Sequence, residues 1–139
     1  MDPFNLQRFV DAQAPVWRAV RAELDESAKR SHWMWFVFPQ LAALGRSDTA
    51  KFYGISGLDE ARAYLDHPVL GPRLLECCNV LLNARSASAE EIFGDIDAMK
   101  LRSCLTLFEA VSSNPIFTRC IDRFFGGEHD PLTKQLLAG

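Results

Sequence analysis

The chain has 139 residues, is 48% hydrophobic and 24% charged, and carries a net charge of −3 at neutral pH. This length suits a single domain with one core, and the composition lacks the low hydrophobicity and high charge of a disordered chain. A slightly acidic chain without a basic stripe argues against broad nucleic-acid or anionic-membrane binding.

The N-terminus "MDPFNLQRFV" has no basic-then-apolar signal pattern, and the longest apolar run, Trp33 to Phe38, is far shorter than the roughly 20 residues that span a bilayer. A cytoplasmic protein is expected. The four cysteines fit that compartment: Cys77 and Cys78 are adjacent, Cys104 and Cys120 stand alone, and no CxxC pair suggests zinc or redox chemistry. They are expected to be small apolar core residues without disulfides.

Leu6, Phe9, Val10 and Gln13 recur at helical spacing, and Pro15 can open a second helix carrying Val16, Ala19, Val20, Glu23 and Leu24. Lys29 and Arg30 follow the acidic "ELDES" and are expected to finish that helix, where positive charge suits the dipole. In "KRSHWMWFVFPQ" a short helical turn ended by Pro39 is preferred to a strand, which would have no partner. Phe36 and Phe38 are expected to anchor the core.

Ser56 with Asp59 resembles a capping box before "GLDEARAYL", which His67 and Pro68 end. The next helix, "PVLGPRLLECCNVLLNA", must hold Pro72 in its first turn or start there. Ser88 with Glu91 caps a short "AEEIFG" ended by Gly94, and Asp95 or Asp97 begins the following helix. Asn114 and Pro115 open "PIFTRCIDRFF", stopped by Gly126 and Gly127; Asp130 and Pro131 open the last helix. Caps recur and strand alternation does not, so the expected fold is all-α: a compact, single-domain multihelical bundle of about seven or eight helices over residues 1–139.

The blocks "KRSHWMWFVFPQLAALGRS", "FYGISGLDEARAYLDHPVLGPRL", "IFGDIDAMKLRSCLTLF" and "RFFGGEHDPLT" resemble the signature blocks of the DUF1810 family over nearly the whole chain. The matching positions are Ser31, His32, Trp33, Trp35, Pro39, Gln40, Tyr53, His67, Pro68, Leu70, Gly71, Lys100, Ser103, Thr106, Phe108, Gly127, Asp130 and Thr133. The resemblance implies a compact, mostly bacterial, multihelical domain of the Rv1873-like type. It brings no established activity, and the family's occasional "calpastatin" label finds no mechanism in these residues. Where members often read "SSMTLF", this chain has Cys104 and Leu105, which keep apolar bulk.

From this set the candidate ligand-binding residues are His32, Trp33, Trp35, Gln40, Tyr53, His67, Lys100 and Ser103. Indole and imidazole nitrogens need partners when buried, which places Trp and His where a core meets a polar cleft. Lys100 and Ser103, three apart, share a helix face. His67 stands at a helix start, where free amides favour an anion or where the ring itself serves as a cap. Three scattered histidines lack metal-ligand spacing, so no metal is expected. No GxGxxG, Walker, GxSxG or HExxH motif is present, so no cofactor is implied.

Three function classes stay open. One is a pocket for a small anionic or nucleotide-like ligand, with a tryptophan stacking a planar ring. Another is a protein-interaction module built on an exposed aromatic patch. The third is an N-glycosidase-type enzyme acting on ADP-ribose-like substrates, since the stretch with Asp97, Lys100, Phe108, Asn114 and Pro115 resembles part of the NADAR family. An acid/base pair for it would join His32 or His67 to a carboxylate such as Glu60 or Asp66.

Overall fold

Proline, glycine and short polar caps divide the chain into helices whose apolar faces cannot be buried alone. The computed structural model describes residues 2–139, and the helices are α1 (Gln7–Gln13), α2 (Trp17–Asp25), α3 (Met34–Val37), α4 (Asp48–Phe52), α5 (Leu58–Asp66), α6 (Leu70–Leu82), α7 (Ala89–Phe93), α8 (Asp95–Glu109), α9 (Ile116–Phe125) and α10 (Pro131–Ala138). Seven of these ten exceed five residues. Among the described residues the one extended pairing is a parallel bridge between Leu41 and Ile55. The chain is a compact all-α fold, and no helix among the described residues is long and apolar enough to cross a membrane.

α8 is the central helix. Leu101, Cys104, Leu105, Leu107 and Phe108 are all buried, so it is apolar on several sides and takes neighbours there: α5, α7, α9 and α10 pack on it. α6 packs against α2, α5 and α9. Phe9, Tyr64, Phe108 and Phe117 form a chain of touching rings through the core, with centroids 5.1 to 6.1 Å apart. The four cysteines are free and buried.

The expected caps at Ser88 and Asp130 accept hydrogen bonds from Glu91 N (3.2 Å) and Thr133 N (2.9 Å). Gly94 (φ 82°) and Gly126 (φ 61°) take the left-handed conformations that end α7 and α9. Three expectations need correction. At α5, Gly57 holds the cap position, and the Ser56 amide instead donates to the Glu60 carboxylate, 2.8 Å. α2 stops at Asp25, so Lys29 and Arg30 lie beyond it. Phe38 is buried, but Phe36 is only partly so, resting on Tyr53 with ring centroids 5.2 Å apart.

Candidate ligand-binding site

The segment between α2 and α3 has little regular hydrogen bonding and is pinned by side chains. Glu23, on the inner face of α2, is buried, and an isolated carboxylate there would be costly. Its Oε1 accepts from Arg30 N (2.6 Å), Ser31 N (3.0 Å) and Trp33 Nε1 (3.1 Å), and its Oε2 from the Ser31 hydroxyl. Burial by itself raises a carboxyl pKa, but these four donors outweigh it and hold Glu23 down at about 2. On the other side Lys29 N donates to Ile92 O of α7, 2.8 Å.

This turn faces the start of α8 across a cleft of about 490 Å³, within the range of small-molecule sites. Lys29, His32 and Trp35 line it from one side, and Gly94, Asp95, Ile96 and Asp97 from the other, with Met34 and Phe93 also in the lining. Lys29 Nζ lies 2.9 Å from Asp97 Oδ2, and Lys100 Nζ lies 3.6 Å from Asp97 Oδ1. Two ammonium groups thus share one carboxylate, while Asp95, also on the cleft, brings the charges of these four side chains into balance. Lys100 Nζ also sits 4.7 Å from the Trp35 ring centre, a cation–π contact that fixes the indole. Lys100 does not itself line the cleft; it stands against two residues that do.

His32, Trp35 and Lys100 are therefore gathered around one cleft, with His32 exposed to it. The other candidates are elsewhere. Trp33 is 1% exposed, its indole N–H bound to Glu23, so it is a core residue and offers no ring face to a ligand. Ser103 is buried and its hydroxyl donates to Met99 O (3.2 Å), as Thr106 does to Arg102 O (2.8 Å). His67 caps α6, its Nδ1 accepting from Val69 N (3.1 Å) and Leu70 N (3.3 Å), which uses the amides an anion would need. Tyr53 packs on Phe9, Phe36 and Phe52. Gln40 accepts from Ile55 N through its carbonyl, 2.9 Å, beside the Leu41–Ile55 bridge.

The acid/base pairs drawn from Glu60 or Asp66 do not form at the cleft, because Glu60 binds Arg8 (2.8 Å) and neither carboxylate lines it. Of the NADAR-like stretch, Asp97 and Lys100 stand at the cleft, whereas Phe108 is in the core and Asn114 opens α9. Among the described residues no group of three His, Cys, Asp or Glu side chains is placed to hold a metal ion.

Lys29, Asp95 and Asp97 belong to the site although the sequence marks them as helix-end residues, Asp97 also standing in the NADAR-like stretch. The signal for Asp97 was faint, since a carboxylate in a first helical turn already satisfies the dipole. Glu23 had a clearer one: it interrupts the apolar stripe of α2, and a charge at such a position needs donors from somewhere.

Comparison with known proteins agrees with the fold. No curated protein matches the chain. The crystal structure of the conserved hypothetical protein Rv1873 from Mycobacterium tuberculosis is similar, at 52% identity and a TM-score of 0.97, with 99% of each chain covered. The model of the family described as "Protein of unknown function (DUF1810)" matches residues 3–137, and the chain belongs to that family.

Proposed function

We propose that the cleft between the His32–Trp35 turn and the start of α8 binds a small, planar, anionic molecule of nucleotide-like character. The chain would do so as a single domain in the cytoplasm, with neither nucleic acid nor membrane as partner. The observation that carries this reading is the convergence of Trp35, His32 and the Lys29–Asp97–Lys100 cluster on one cleft of about 490 Å³. Trp35 supplies an aromatic wall held by Lys100, and the Lys29 and Lys100 ammonium groups, which share Asp97, answer a phosphate or carboxylate together with His32. The free Asp95 carboxylate accepts from hydroxyl or amino groups.

Thermal shift and calorimetry with AMP, adenosine and inorganic phosphate test this. AMP at a hundred times its Kd stabilises the chain by about 2.7 kcal/mol, and Trp35→Ala or Lys100→Met weakens its binding about tenfold or more. No response to AMP at millimolar concentration, or an undiminished response in Trp35→Ala, would overturn the proposal. A second reading, cleavage of an N-glycosidic bond, is favoured by His32, Asp95 and Asp97 sharing the cleft. Release of ADP-ribose fragments in a chromatographic assay, abolished in His32→Gln, would support it.

A further inference from the structure

We infer that Glu23 is the positioning residue of this cleft: without touching it, the buried carboxylate sets the path of residues 30–33 and so places His32 and Trp35. Glu23 is 6% exposed and does not line the cleft, so any effect on a ligand passes through the turn. Its other supports are the Lys29 ammonium, which donates to Ser31 O and pairs with Asp97, and an exposed Arg30–Glu26 ion pair. Of the backbone amides from Lys29 to Ser31, Lys29 N is held by Ile92 O and the next two by Glu23. Ser27, just upstream, has a φ of 56°, and the reversal that ends α2 is closed by Ala28 N donating to Glu23 O, 2.9 Å.

A carboxylate suits this task because three N–H donors converge on Oε1 and a hydroxyl reaches Oε2. Ionised acceptors make shorter and stronger bonds than neutral ones. Immediately beyond the clamp, Trp33 O accepts from Val37 N, 3.2 Å, so α3 and Trp35 within it start from a residue that Glu23 holds. His32 lies between the two clamped residues Ser31 and Trp33. A shift of the clamp therefore moves both cleft groups together.

The affinity part of the test rests on the ligand proposal above; the spectroscopic part does not. In the full chain, the ring resonances of His32 and Trp35 are followed by NMR in Glu23→Ala, Glu23→Gln and Glu60→Ala. The last removes a different buried carboxylate, the partner of Arg8 and Ser56, and serves as a control of comparable kind. Glutamine can keep the acceptor oxygen and turn its amide N–H to the Ser31 hydroxyl. Glu23→Gln is thus expected to hold both resonances near their original positions and AMP affinity within about threefold.

Glu23→Ala is expected to move both resonances and to weaken AMP binding about tenfold or more, since the groups that meet the ligand are no longer held in place before it binds. Glu60→Ala should leave both unchanged. Unmoved His32 and Trp35 resonances in folded Glu23→Ala would overturn the inference. Should Glu23→Ala not fold, Ser31→Ala, which removes a single donor, must still shift the His32 ring, and an unshifted ring overturns the inference equally. AMP failing to bind the unaltered protein would remove the ligand proposal alone, with the resonances still deciding the role of Glu23.

Discussion

Acid should dissolve the Glu23 clamp, and the amount of stability lost follows from the structure. A fall of the Glu23 pKa from 4.5 to about 2 corresponds to about 3 kcal/mol at 1.36 kcal/mol per pH unit. The folded-state pKa is depressed, so this stabilisation is fully present above the unfolded value and is lost as pH falls from about 4.5 toward 2. Glu23→Gln resembles the protonated carboxyl at every pH. Urea unfolding of both proteins across pH 2.5 to 7 should show the parent more stable by about 3 kcal/mol at neutral pH. The gap should shrink below pH 4.5 to about a quarter of its neutral value near pH 2.5, other carboxylates cancelling in the difference. A pH-independent gap, or none at neutral pH, would refute the view that these four donors hold an ionised carboxylate.

Phe38→Ala should cost about 3 to 5 kcal/mol because the ring is fully buried, whereas Phe36→Ala, at a partly exposed site, should cost less; equal losses in denaturant midpoint would contradict the assigned burial. His67→Ala should lose about 1 kcal/mol as a helix cap is removed, with AMP binding unaffected, and weakened AMP binding would return His67 to the ligand site. Gly71→Ala should destabilise by about 1 to 3 kcal/mol, since its Cβ would stand 2.0 Å from Leu65 O at the end of α5; a variant more stable than the parent, as helix propensity alone favours, would contradict that close approach.

The helices were legible where one residue type performs one local task. Ser88, Asp130, Gly94 and Gly126 each act at the positions their chemistry suggests. α4 passed unnoticed because its five residues have no apolar periodicity to read, only the Ser47 hydroxyl accepting from Ala50 N at 3.1 Å. At the site, His32, Trp35 and Lys100 could be picked as polar or amphipathic groups in apolar surroundings. What one dimension conceals is the partner: Trp33 and Trp35 differ by two positions in a helical turn, and only the packed structure shows that one points to Glu23 and the other to Lys100. Ser103 and Lys100 share a helix face in the same way, yet burial turns one hydroxyl back onto its own helix.

The four interior cysteines turn the molecule into its own gauge of opening. Burial pushes the Cys77 thiol up to about 12 and raises that of Cys104, while a hydrogen bond with Cys120 and then burial raise that of Cys78, so at these three positions the nucleophilic thiolate is nearly absent while the chain is folded. Cys77 and Cys78 lie in α6, Cys104 in α8 and Cys120 in α9, the helix that packs against both of the others. A thiol reagent in excess would label only molecules in which that packing has come apart, and the labelling rate, read site by site, would report whether the three helices separate as a unit or one at a time.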